Sequence, residues 1–195
     1  MIFVWGWVCT KILLSKCSKS FPIMLFLLPN AELMNYENQP VRRQDRLLEE
    51  KEALHLLQQG EYGVLSMVKD EGHSAYGIPL NYVWDGQSAI YLHGAPEGEK
   101  LRCIRAFPEV SFCVVGTTKV IPNQFTTAFE SIVLTCSARV GLPDEERMHA
   151  LKLLLEKYSP QDVEVGLAMA RKSFARTEII RLDIRKWSGK CKRMA

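Results

Sequence analysis

The densest chemistry in the sequence lies in "AIYLHGAPEGEKLRCIRAF", where an apolar run ends in His93 and a broken turn leads to Lys100. Gly94, Pro96 and Gly98 interrupt the chain, and a short basic helix with Lys100, Arg102 and Arg105 is then expected. A lysine at the first turn of a helix can hold an anion, because its ammonium adds to unsatisfied N–H groups and the positive end of the helix dipole. Glycines beside it let the backbone approach a ligand closely. A histidine titrating near neutrality can carry a proton to or from a reacting group. The same residues also describe an ordinary strand-to-helix connection, and residue types alone leave both readings open. Glu97 and Glu99 oppose an anion unless they point away, and each also suits the first turn of a helix.

These residues need a scaffold, and the totals allow one domain. The chain has 195 residues, 47% apolar and 24% charged, which suits an ordinary globular protein with a real core. The formal net charge is +3, and Lys11, Lys16, Lys19 and Glu32 are the only charges before Leu33, so the remainder stands at +1. A body so near neutrality argues against nucleic acid as a partner, while a small anion needs only a local cluster. Six cysteines, at 9, 17, 103, 113, 136 and 191, form no C-x-x-C pair and no zinc spacing with histidine. Free thiols in a reducing cytoplasm are the expectation.

Residues 1–33 differ from the rest. Two short apolar blocks flank three lysines, and neither reaches the roughly 20 apolar residues of a spanning helix. No basic residue precedes the first block and no small-x-small cleavage site follows the second, so a signal peptide is a poor fit. The expectation is a leader that extends the reading frame upstream of a single domain over 34–195, with a weak membrane anchor as its competitor.

Within 34–195 the patterns alternate. Leu48–Gln59 reads as a helix with acids in its first turn and Gly60 as its stop. Strands are expected at Tyr62–Val68, Ala75–Trp84, Ala89–His93, Val110–Gly116, Ala128–Gly141 and Thr177–Gly189, with Pro79 marking an edge, a bulge or a ligand-facing break. Pro143–Ser159 and Asp162–Ser173 read as helices, and Pro122 as part of a loop. Strands joined mainly by hairpins, with late helices, suggest a small antiparallel barrel decorated by helices. His55, His73 and His149 have polar neighbours and read as solvated, and no dinucleotide, Walker, zincin or nucleophile-elbow motif occurs.

The strings "RRQDRLL", "GEYGVLS", "YGIPLNYVW", "IYLHGAPEGEKLRCIRAFPEVSFCVVG", "FTTAFESIVLTCSARV", "EKYSP" and "RLDIRKWSGK" follow one another from Arg42 to Lys190. In that order and spacing they resemble the pyridoxamine 5′-phosphate oxidase-like, flavin-binding split-barrel superfamily, and within it the nitroimidazole-resistance (Nim-type) reductases. The resemblance implies an α+β protein, mainly β: a six- to seven-stranded antiparallel split barrel. It further implies a homodimer binding FMN at the subunit interface. Lys100 then matches the basic position that receives the FMN phosphate, with Gly94 and Gly98 around it. His93 matches a histidine beside the flavin ring, linked to reductase activity. Pro79, Leu80, Asn81 and Tyr82 match the strand lining the flavin, Asn81 through a hydrogen bond to the ring's polar edge and Tyr82 by stacking. Ser131 matches a strand polar group near the cofactor. Trp187 and Lys190 match a C-terminal segment that covers the site, contributed by the partner subunit.

The implied activity is FMN-dependent reduction of small electrophilic acceptors, nitroimidazole-type compounds or quinones, with electrons from NADH or NADPH. No second basic cluster is found, which argues against pyridoxamine 5′-phosphate itself as substrate. Deazaflavin in place of FMN, a non-catalytic flavin or haem module with His93 as axial ligand, and an interaction dimer with a decayed pocket remain as alternatives.

Overall fold

The run expected as one strand over Ala75–Trp84 is broken at Tyr82, and that break organises the molecule. A computed structural model of the chain describes residues 34–193, so the expected leader lies outside the described residues. β1 (Asn35–Tyr36) is followed by α1 (Glu50–Gln59), β2 (Tyr62–Val68), β3 (Ala75–Asn81), β4 (Val83–Trp84) and β5 (Ala89–Gly94). Then come α2 (Glu99–Ala106), β6 (Glu109–Ile121), β7 (Thr126–Arg139), α3 (Asp144–Tyr158), α4 (Val163–Ser173) and β8 (Glu178–Lys192).

The eight strands form one sheet in the order β3-β2-β6-β7-β8-β5-β4, antiparallel throughout this path, with β1 added parallel to β8. The two ends of the path, β3 and β4, are consecutive in the chain. β3 gives its ladder to β2, from Val68↔Ala75 to Tyr62↔Asn81, and β4 gives its ladder to β5. The sheet therefore curls back on itself, and β3 touches β5 without a ladder between them. That seam is the split of a split barrel. Pro79 lies on this edge strand, where its missing N–H costs no second ladder.

Alternation along the strands builds the core in rows. Leu65, Phe112, Leu134 and Trp187 are register partners across β2, β6, β7 and β8, and all are buried. α1 closes one end with Ala53, Leu56 and Leu57, spaced as one helical face. α3 packs Ala150 and Leu154 on Val83, Tyr91, Leu142 and Ile179. Its first turn is held by Glu146, which accepts hydrogen bonds from the Tyr91 hydroxyl at 2.9 Å and from Arg181 at 2.7 Å.

The hairpin of β6 and β7 is longer than its apolar pattern suggests. Beyond a bulge after Val115, Thr118–Ile121 pairs with Thr126–Phe129, and Pro122–Gln124 forms a tight 3₁₀ turn. These added residues are largely exposed, so no burial period marks them. β8 likewise runs past Gly189, because Gly189 and Lys190 continue the ladder to Ile132 and Ser131.

Tyr82 itself is fully buried, its ring edge-on to Phe112 at 5.1 Å and its hydroxyl donating to the Leu57 carbonyl at 2.6 Å. Burial raises its phenol well above the usual tyrosine value, so it stays a neutral donor. Tyr82→Phe leaves the Leu57 carbonyl without this donor in the core. A loss of about 1–2 kcal/mol in urea unfolding, with an unchanged denaturant slope, is expected.

Candidate functional site

β5 carries His93 to the seam and ends one residue later, because Pro96 and Gly98 interrupt the run before α2 begins. Gly98 has φ 128°, a region closed to most side chains, and its carbonyl accepts the N–H groups of Leu101 and Arg102. The N–H groups of Glu99 and Lys100 are left without intrahelical acceptors, as at any helix start.

Lys100 folds back over Gly94: a Cβ there would stand 2.7 Å from its Cε and 2.8 Å from its Nζ. The lysine is half-buried and has no carboxylate partner among the described residues. The neighbouring acids are accounted for. Glu99 is turned to Lys69 at 3.1 Å, Arg102 bonds Asp70 at 2.9 Å, and Glu97 stands in solvent. Lys100 is thus left as an uncompensated positive charge.

Across the seam, Pro79, Leu80 and Asn81 of β3, Tyr62 of β2 and His93 line one open cavity of about 570 Å³. Its size falls within the range of small-molecule sites. Desolvation by the surrounding protein, and secondarily the Lys100 ammonium, hold the His93 imidazole below the ordinary histidine pKa. The ring is therefore neutral at pH 7, with one nitrogen free to accept. An anion set against Lys100 removes the second cause and moves His93 back up. Among the described residues no group of three or more His, Cys, Asp or Glu is placed to hold a metal ion.

Of the residues the resemblance singled out, Pro79, Leu80, Asn81 and His93 meet in this cavity, and Gly94, Gly98 and Lys100 stand directly beyond His93. The others stand elsewhere. The Tyr82 ring is spent in the core, so it offers no stacking face. Trp187 is core as well, 2% exposed and packed edge-on against Tyr36 at 4.5 Å, its register partner across the β1–β8 ladder. Ser131 and Lys190 are register partners across β7 and β8 and do not line the cavity.

A larger cavity of about 750 Å³ lies on the other side of Asn81, lined among others by Trp84, Glu156, Lys157 and Tyr158. Sequence reasoning assigned nothing to Lys157 and Tyr158, although both stand in the "EKYSP" string. Lys157 Nζ donates to the Gly60 carbonyl at 2.7 Å and lies 3.9 Å from the centre of the Tyr82 ring. Burial pushes this amine down to about 8, while the carbonyl and the ring favour the ammonium and oppose that shift. The Tyr158 phenol is raised by burial, partly offset by the Tyr82 backbone and the Asn81 side chain.

His93 supplies a direct check. Because its folded pKa is lowered, its contribution to stability is full above the unfolded-state pKa and is lost as pH falls through the folded value. A proton-detected titration should place His93 below the ordinary histidine value. Lys100→Gln should raise it part of the way, because desolvation by the surrounding protein, the larger cause, remains.

The comparisons with known proteins follow this geometry. The family described as pyridoxamine 5′-phosphate oxidase matches residues 49–191. No curated protein sequence matches the chain. Among solved structures, a candidate 5-nitroimidazole antibiotic resistance protein from Bacteroides thetaiotaomicron aligns with TM-score 0.60 and 17% identity, over 74% of this chain and 85% of that one. The FAD- and haem-binding protein of Mycobacterium smegmatis aligns with TM-score 0.66 and 20% identity, over 76% and 74%. An FAD-binding protein of Mesorhizobium loti gives 0.54 and 23%, over 76% and 98%. At these identities the likeness is one of fold.

Proposed function

This chain belongs to the pyridoxamine 5′-phosphate oxidase family, and on that footing we propose that it is a flavin-dependent oxidoreductase that binds FMN in the seam. We read its acceptors as small electrophiles of the nitroimidazole or quinone type, its donor as NADH or NADPH, and its setting as a reducing cytoplasm. One observation carries the reading. Pro79, Leu80, Asn81 and His93 converge on one cavity, and an unpaired lysine at a helix start stands next to it.

The residues fit such a group. Lys100 and the free N–H groups of Glu99 and Lys100 would hold the phosphate, since an ammonium and a helix start both favour a dianion. Gly94 keeps the space that Lys100 occupies, because any Cβ there collides with the lysine's end. β3 would offer backbone and the Asn81 amide to the polar edge of the ring. When bound, a flavin supplies the capacity to take up a hydride and pass electrons on. The protein's part is to orient, to exclude water and to manage a proton. Neutral His93 takes a proton from solvent at its free nitrogen. With a phosphate offsetting Lys100, the part of the lowering that comes from that ammonium would be relieved, and the imidazolium could hand that proton to an acceptor gaining electrons.

A second copy of the chain would complete the site. The outward row Pro79, Val64, Cys113, Val133 and Ser188 crosses five strands without a charge. Tyr62, Val115 and Val133 are 58%, 55% and 45% exposed, and Tyr62 and Pro79 also line the cavity. An uncharged face with such side chains, continuous with the site, suits a subunit interface. Val133→Asp should shift sedimentation from dimer to monomer, and a wild-type protein that sediments as a monomer at micromolar concentration refutes the pairing.

The function is tested by absorbance. Protein mixed with FMN should retain flavin bands after desalting, bleach with NADH or NADPH, and recover on adding a nitroimidazole or quinone. Lys100→Ala should weaken FMN by about tenfold to a hundredfold, as for a lost charge-assisted bond. His93→Ala should keep FMN and slow reoxidation by the acceptor. An intense Soret band in place of flavin bands would instead report haem.

A further inference from the structure

The last turn of α3 is fastened to the break between β3 and β4. The Tyr158 hydroxyl stands 2.6 Å from the Glu61 carbonyl and 2.8 Å from the Tyr82 carbonyl, and it accepts the Tyr82 N–H at 3.0 Å. Its single proton is shared between the two carbonyls. Tyr82 is where the ladder to β2 has ended, at Tyr62↔Asn81, and the ladder to β5 begins only at Val83. Both backbone groups of Tyr82 thus find in one side chain the partners that neither neighbouring strand provides. The Glu61 carbonyl also accepts from Asn81 Nδ2 at 2.9 Å, so Tyr158 and Asn81 share an anchor. Lys157 adds its bond to the Gly60 carbonyl, one residue away.

Tyr158 is itself outside the seam cavity, which is lined by Tyr62, Pro79, Leu80, Asn81 and His93. It touches the residues on either side of that wall. We propose that Tyr158 is a positioning residue for the flavin site: its hydroxyl fixes the backbone at the strand break, and through it the angle at which β3 presents Asn81 to the cavity. The inference rests on the flavin reading above and deepens it. Nothing else among the described residues bonds the Tyr82 N–H or carbonyl. Without the phenol these groups seek water or a neighbouring strand, and either choice moves the end of β3.

The experiment compares wild type, Tyr158→Phe and Tyr36→Phe. The second variant is the control, because it deletes a hydroxyl-to-carbonyl bond of similar kind, Tyr36 to Leu48 at 2.5 Å, away from the seam cavity. FMN affinity and the bound-flavin spectrum are measured well below each variant's unfolding temperature. Tyr158→Phe should weaken FMN by about tenfold and shift the flavin bands, as loss of the hydroxyl that holds the strand break implies. Tyr36→Phe should lower the unfolding temperature and leave affinity and spectrum unchanged. Equal affinity and spectra for Tyr158→Phe and wild type overturn the inference, and so do equal losses in both variants, which would report general loosening. Wild-type protein that takes up no flavin overturns the flavin reading itself, and the inference falls with it.

Discussion

One stretch of backbone is asked to belong to two edges of a sheet. Between Asn81 and Val83 the chain leaves the ladder of β2 and joins that of β5, and a residue making that transfer cannot satisfy both of its polar groups from strands. The fold answers with side chains from helices. Tyr158 of α3 takes the N–H and carbonyl of Tyr82, and the Tyr82 hydroxyl is taken in turn by the end of α1. The barrel closes because this exchange is possible, and it stays split because β3 and β5 share no ladder.

The seam is also where a ligand could be held. A closed ladder would bring backbone against backbone and leave no room. Here the edge of β3, with a proline that could not extend a ladder, faces the end of β5, and a cavity opens between them. Electrostatics sets its character. Each carboxylate near the start of α2 is either matched by a cation from the β2–β3 turn region, or itself pairs with one, or lies in solvent. Lys69 holds Glu99, Arg102 holds Asp70, and Glu97 points out. Among the described residues Lys100 has no carboxylate partner, and it stands beside a histidine that its charge helps to keep neutral. A half-buried charge without a partner is costly for a fold to keep, and an anionic ligand would repay it.

Two kinds of residue part company between sequence and structure. The rows of the barrel core and the buried face of α1 follow periods of 2.0 and 3.6, so Leu65, Phe112, Leu134, Ala53 and Leu57 were legible as core. The arm of β6 and β7 beyond Val115 was not, because Thr118, Lys119 and Val120 pair in the ladder without burying anything. Within the site, His93 and Lys100 were legible from the turn chemistry around them. Tyr82 and Trp187 were assigned to the ligand, and their aromatic character gave no warning that Phe112 and Tyr36 would claim them. Tyr158 was part of a quoted motif, yet its role depends on contacts about 76 residues away in sequence.

The order of residue types by itself determined the α+β class, most of the strands and helices, and the turn in which a histidine hands over to a lysine. These depend on local period and turn chemistry, which neighbours a few residues apart decide. Only the tertiary structure decided where the strand breaks, which acids are neutralised, and which aromatic rings face the cavity. Those outcomes are set by partners distant in sequence, and the direction of a side chain follows from what packs against it.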